Sequence, residues 1–114
     1  MASLRLSLTL ILLVSAGTAS AQSVFTTRPD DPDAINLMAP EFAVRGDGTA
    51  DDTAAIQSAI DKAGSSFSGG LVFIPSGRYR LTRTVYLWRG VRLVGYGATR
   101  PVFVLGDETP ARVN

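Results

Sequence analysis

The 114-residue sequence has no cysteine and no histidine. Their absence removes disulfides, thiol nucleophiles, zinc sites of the Cys/His type and histidine general-base mechanisms, leaving carboxylates, Lys, Arg, Tyr and hydroxyls to carry any chemistry. Aromatic residues make up only 8% of the chain, with one tryptophan, Trp88. Long apolar runs are missing too. The strongest, Leu6 to Val14, is nine residues, well short of the roughly 20 needed to cross a bilayer.

That short run follows Arg5 and precedes Ser15-Ala16-Gly17-Thr18-Ala19-Ser20-Ala21, with small residues at Ala19 and Ala21. This is the layout of a secretory signal peptide, so residues 1–21 are expected to be removed and the mature chain of 93 residues to begin at Gln22. The expected location is extracellular or periplasmic, with no membrane association once the signal is cleaved. Without the signal, bases and acids balance at ten each, but unevenly: residues 22–61 hold eight acids and two bases, residues 62–114 eight bases and two acids. Nucleic acid is a poor partner for a neutral exported chain, and the two halves lying side by side would neutralise each other.

Residues 22–40, with Pro29, Pro32 and Pro40 among Asp30, Asp31 and Asp33, read as an extended lead-in arm, with Ile35-Asn36-Leu37 a brief edge strand. Glu41-Phe42-Ala43-Val44 reads as a first short strand. It feeds the stretch that organises the chain, Gly46-Asp47-Gly48-Thr49-Ala50-Asp51-Asp52-Thr53, read as a tight glycine turn entering a helix. Asp51, Asp52 and Thr53 suit the unpaired amides of a helix start. Ile56, Ala59, Ile60 and Ala63 then form one apolar stripe, with Gln57, Ser58, Asp61 and Lys62 facing away and Gly64 as the C-cap.

After a polar loop over 65–70, Leu71–Ile74, Arg78–Leu81, Thr84–Leu87, Val91–Val94 and Val102–Leu105 read as short strands separated by Gly and Pro turns, with Phe73 and Phe103 as core. Residues 107–114 read as a tail without period. Leu71 and Val91 each open an apolar strand twenty residues apart, one lap of a coil with three strand-like pieces. A parallel β-helix fits this spacing, and a small β-sandwich would be punctuated similarly.

Three blocks carry a resemblance: Gly46 to Gln57, Gly69 to Tyr79, and Gly90 to Gly97. In order and spacing they resemble the N-terminal part of the pectate lyase superfamily domain, the rhamnogalacturonase and epimerase-like, glycoside hydrolase family 28-related group. The resemblance implies a mainly β fold, over residues 41–106: an N-terminal capping helix and the first coils of a right-handed single-stranded parallel β-helix of pectin lyase-like type, incomplete. It also implies that the catalytic acids lie in later coils, so that this chain is the leading piece of a longer protein and by itself inactive.

The function so implied is a secreted polysaccharide-active protein, a pectin-degrading glycoside hydrolase first. The alternatives are a polysaccharide lyase and a non-enzymatic extracellular β-helix that binds carbohydrate or serves as structure. Within this chain no catalytic, cofactor or metal residues are assigned. Gly46, Asp47, Gly48, Asp51, Asp52 and Thr53 are read as turn and helix cap. A calcium loop at Asp47 has Thr49 where its third position calls for Asp or Asn, and Ser58 where the glutamate belongs. Arg78, Arg80 and Trp88 are the candidate contacts for an acidic, pectin-like polymer, the arginines offering charge and the indole a stacking face.

Overall fold

The computed structural model describes residues 22–65 and 70–107; the expected signal peptide, most of the 65–70 loop and all but the first residue of the tail lie outside them. Among the described residues six strands follow in order: β1 (Ile35–Asn36), β2 (Asp47–Asp51), β3 (Leu71–Pro75), β4 (Arg78–Leu81), β5 (Arg92–Tyr96) and β6 (Val102–Leu105), with one α-helix, α1 (Thr53–Ser65), between β2 and β3. They form two three-stranded sheets, β1-β3-β5 and β2-β4-β6, in which every pairing is parallel. The chain therefore places strands alternately in one sheet and the other. Parallel neighbours need a long crossover, and here each crossover is a visit to the other sheet.

The register corrects the expected lap. Leu71 lies opposite Arg92, twenty-one residues on, and Arg78 opposite Val102. Each pass supplies two paired strands rather than three, because residues 84–87 form no strand. Strand β5 also starts one residue late and runs through Gly95 to Tyr96, which the sequence assigns to a turn.

Two expectations fail before the helix and one at its end. The strand expected over 41–44 is a 3-10 turn, Pro40–Phe42. Pro40 presets the helical φ at its first position, Phe42 turns inward, and Ala43 reverses the chain at φ 52. The glycine turn expected at 46–50 is strand β2, bulged so that Asp47 lies opposite Arg78 and Asp51 opposite Arg80. Asp47 supports the bulge by accepting the Thr49 and Ala50 N–H groups, both at 2.9 Å, and Gly48 takes φ +76 within it. Turn chemistry here serves a strand irregularity. Gly64, finally, does not cap the helix, which continues through Ser65.

The apolar stripe of α1 is buried as its spacing requires: Thr53, Ile56, Ala59, Ile60 and Ala63 all face inward. Ile56, Ala59, Ile60 and Ala63 join Leu37, Phe42, Val72, Ile74, Tyr79 and Val91 in one cluster, so the helix meets the first two passes of the chain together. Phe73 is buried, but Phe103, expected in the core, is 40% exposed on β6, its ring 6.0 Å from that of Tyr79. The lead-in arm pairs with the sheet's far edge. Gly97 donates its N–H to the Phe25 carbonyl at 2.8 Å while the Tyr96 carbonyl accepts from Ser76, just after β3, so residues 22–25 run along the opposite side of β5.

Candidate functional site

Asp52 is the most deeply buried charged residue at the organising stretch, 1% exposed. Its backbone carbonyl accepts the Ile56 N–H and so opens the helix. Its carboxylate turns the other way and accepts the Arg45 and Gly46 N–H groups, each at 2.8 Å. The residue thus fastens the incoming chain to the helix start instead of capping the helix, the role expected of it. Asp51, the last residue of β2, accepts the Thr53 N–H at 3.0 Å and, at 2.6 Å, the Thr82 hydroxyl. Thr53 Oγ1 in turn accepts the Thr82 N–H at 2.9 Å.

These bonds decide what the carboxylates can do. The Thr53 and Thr82 hydroxyls hold Asp51 at about 2, and the Ala50 and Thr49 amides hold Asp47 below the usual carboxylate range. Glycoside hydrolysis needs one carboxyl that keeps a proton near neutrality, which takes a raised value. Asp47 and Asp51 are both driven the opposite way and fix structure. Among the described residues no cluster of three potential ligands could hold a metal ion.

The depressed value of Asp51 has a pH consequence. A carboxylate whose folded value lies below its ordinary 3.8 contributes stability that is complete above about pH 4 and is lost as the pH falls toward about 2. The expected result is a denaturation midpoint that declines between pH 4 and pH 2, with a shallower decline in Asp51→Asn. Equal slopes in the two proteins would contradict the assignment.

The polar side of the helix also departs from expectation. Gln57 and Asp61 do not simply face away; with Thr53 they form a row at helical spacing that holds residues 82–88. Gln57 donates its amide N–H to the Tyr86 carbonyl at 3.0 Å and accepts the Tyr86 N–H at 2.8 Å. Asp61 accepts the Trp88 indole N–H at 2.6 Å. Both backbone groups of Tyr86 are thus taken by a side chain, and residues 84–87 form no strand. A groove of about 340 Å³ lies between helix and segment, lined by Thr53, Gln57, Ser58, Arg83, Thr84 and Tyr86 among others. Tyr86 is 63% exposed there, and Trp88 is 52% exposed beside Gly64.

The candidate contacts are therefore not brought together. Trp88 belongs to the helix side, whereas Arg78 and Arg80 project from the outer face of β4, on either side of inward-facing Tyr79. Burial pushes the Tyr79 phenol up to about 12, and its O–H donates to the Pro75 carbonyl at 2.6 Å. Arg78 lies on Gly48, where any Cβ would stand 3.2 Å from its own. It shares a second cavity of about 340 Å³ with Gly77, Thr99, Arg100 and Val102. The sequence reading missed Arg100, because only the register of twenty-one to twenty-four residues, seen in the strand pairing, places 99–102 beside 76–78.

Parallel strands set alternately into two sheets, with one amphipathic helix packed over the first passes, define a mainly β protein built by repetition of a two-strand unit. More particularly, the chain belongs to the family described as rhamnogalacturonase A/epimerase, pectate lyase-like, whose model matches residues 36–110. Mannuronan C5-epimerase AlgE3 of Azotobacter vinelandii is 39% identical over 82 residues, 66% of this chain and 4% of the relative. Alginate lyase 7 of the same organism is 39% identical over 74 residues, 59% of this chain and 8% of the relative. The plasmin and fibronectin-binding protein A of Streptococcus pneumoniae is 41% identical over 51 residues, 45% of this chain and 7% of the relative. A crystal structure of that surface adhesin, PfbA, covers 67% of this chain and 14% of its own at 30% identity, with a TM-score of 0.48. The chain thus spans less than a tenth of the length of each curated relative named here.

Proposed function

We propose that this chain forms the opening coils of an extracellular right-handed parallel β-helix protein that acts on a uronic-acid polysaccharide. The supporting observation is the family match over residues 36–110 together with relatives named as mannuronan epimerases and an alginate lyase. C5 epimerisation and lyase cleavage share one demand, removal of the proton beside a uronate carboxylate. A hydrolase demands a protonated carboxyl instead. The role of these coils is to bind and to support: the helix covers the apolar interior of the first passes and the arginine-bearing face of β4 meets solvent.

The test is to incubate the protein carrying this segment with mannuronan and with polygalacturonate. Three products are scored: unsaturated ends by ultraviolet absorbance, C5-inverted residues by NMR, and new reducing ends. Unsaturation or inversion supports the reading, and reducing ends without unsaturation would return it to the hydrolase. Similarity to the plasmin and fibronectin-binding protein favours a second reading, a non-enzymatic extracellular binding protein. Unaltered polymer in all three assays would establish that one in its place.

A further inference from the structure

Among the cavities of the described residues, the one shared by Arg78 and Arg100 is lined by two guanidinium groups and by no carboxylate. Its parts are held from several directions. The loop carrying Thr99 is hooked to β3's end, where Ser76 Oγ accepts the Thr99 N–H at 3.1 Å and lies in hydrogen-bond contact with the Thr99 carbonyl. Arg100 donates its Nε–H to the Gln22 carbonyl at 3.2 Å, which engages one donor of the guanidinium and leaves its terminal nitrogens for another acceptor. The Arg78 stem lies on Gly48 of the neighbouring strand. Three separate segments of the chain, the arm, β4 and the 97–101 loop, thus converge on one small cationic cleft.

Two anchored guanidinium groups match a planar carboxylate, which each can grip through two parallel N–H donors. The remaining lining suits a sugar ring bearing that carboxylate: the Thr99 hydroxyl offers a donor and acceptor to ring hydroxyls, and Val102, 44% exposed, offers an apolar patch to the ring's C–H face. A volume of about 340 Å³ limits the occupant to a short stretch of polymer. We infer that the cleft formed by Arg78, Thr99, Arg100 and Val102 is a binding subsite for a single uronate residue of an acidic polysaccharide, separate from any catalytic centre. This rests on the polysaccharide reading above and adds a place and a charge requirement to it.

The experiment is calorimetric titration of the protein with a mannuronate tetrasaccharide and with its carboxyl-reduced, neutral counterpart. The unsubstituted protein should bind the charged sugar, more weakly as salt rises, and bind the neutral one poorly. Arg78→Ala and Arg100→Ala should each weaken binding about tenfold, the size of one lost charge-assisted contact, while Arg83→Ala in the helix-side groove should leave it unchanged. Both arginines are exposed, so their variants should keep the parent's circular dichroism. Binding undiminished in both variants, or a neutral sugar bound as tightly as the charged one, overturns the subsite. If the protein alters mannuronan while these variants bind as the parent does, the subsite alone is lost. If the parent neither binds nor alters any uronan, the polysaccharide reading falls with it.

Discussion

Replacing Asp52 with alanine is expected to destabilise the fold by about 3 kcal/mol, from two backbone N–H groups losing a charged acceptor at roughly 1.5 kcal/mol each. The carboxylate is 1% exposed and bonds the Arg45 and Gly46 amides at 2.8 Å. Removing it unties the two amides in a part-buried setting, and leaving a polar group short of its partner is the costly half of any hydrogen-bond deletion. Asp52→Asn should cost about 2 kcal/mol, since the amide retains one acceptor but sets its own NH₂ against the second N–H. The measurement is chemical denaturation followed by Trp88 fluorescence, with amide hydrogen exchange at Arg45 and Gly46 as the local readout. Exchange at those two amides as slow in Asp52→Ala as in the parent would refute the account. Asp51→Ala should shift the midpoint less, because its carboxylate is exposed and water replaces the lost partner.

The contrast between Asp52 and its neighbours shows where sequence patterns inform and where they stop. The buried stripe Ile56, Ala59, Ile60 and Ala63 was legible because a period of 3.6 is a local property that needs no knowledge of the partner. Strands β4 and β6 match their expected boundaries, β6 set between Pro101 and Gly106 and β4 between Gly77 and the polar Thr82-Arg83. Asp52 was placed correctly at the helix start but given the wrong partner, since a carboxylate there serves equally well for the helix's own amides or for a loop six residues upstream. Residues 84–87 read as a strand and form none. The backbone of Tyr86 is held instead by the Gln57 side chain, twenty-nine residues away, and no local pattern encodes that. The same holds for Arg78 and Arg100, joined only by the register of β4 against β6. Features fixed by adjacent residues were readable, whereas those fixed by stacking needed the lap length, and the expected twenty-residue lap is one short of the pairing found between β3 and β5.

Ile60→Ala should have the other large effect, about 3 to 4 kcal/mol, with Ile60→Val near 1 kcal/mol. Ile60 is fully buried at the middle of the stripe, within the cluster that holds Leu37, Val72 and Ile74. A helix of thirteen residues is marginal by itself in water, so truncating its central contact removes much of what keeps it docked. The consequence should spread along the helix's polar row. Thr53, Gln57 and Asp61 restrain residues 82–88 only while α1 is seated. Hydrogen exchange in Ile60→Ala should therefore rise at the Thr82 and Tyr86 amides, which make no contact with the substituted side chain through these bonds. Ser58→Ala, on the exposed side of the same helix, should shift neither the midpoint nor that exchange. If Ile60→Ala loosens the helix while Thr82 and Tyr86 stay protected, the segment is held by something other than the row. If Ile60→Ala costs no more than Ser58→Ala, the helix is not packed on the strands, and the stacked arrangement from which the arginine cleft takes its geometry loses its support.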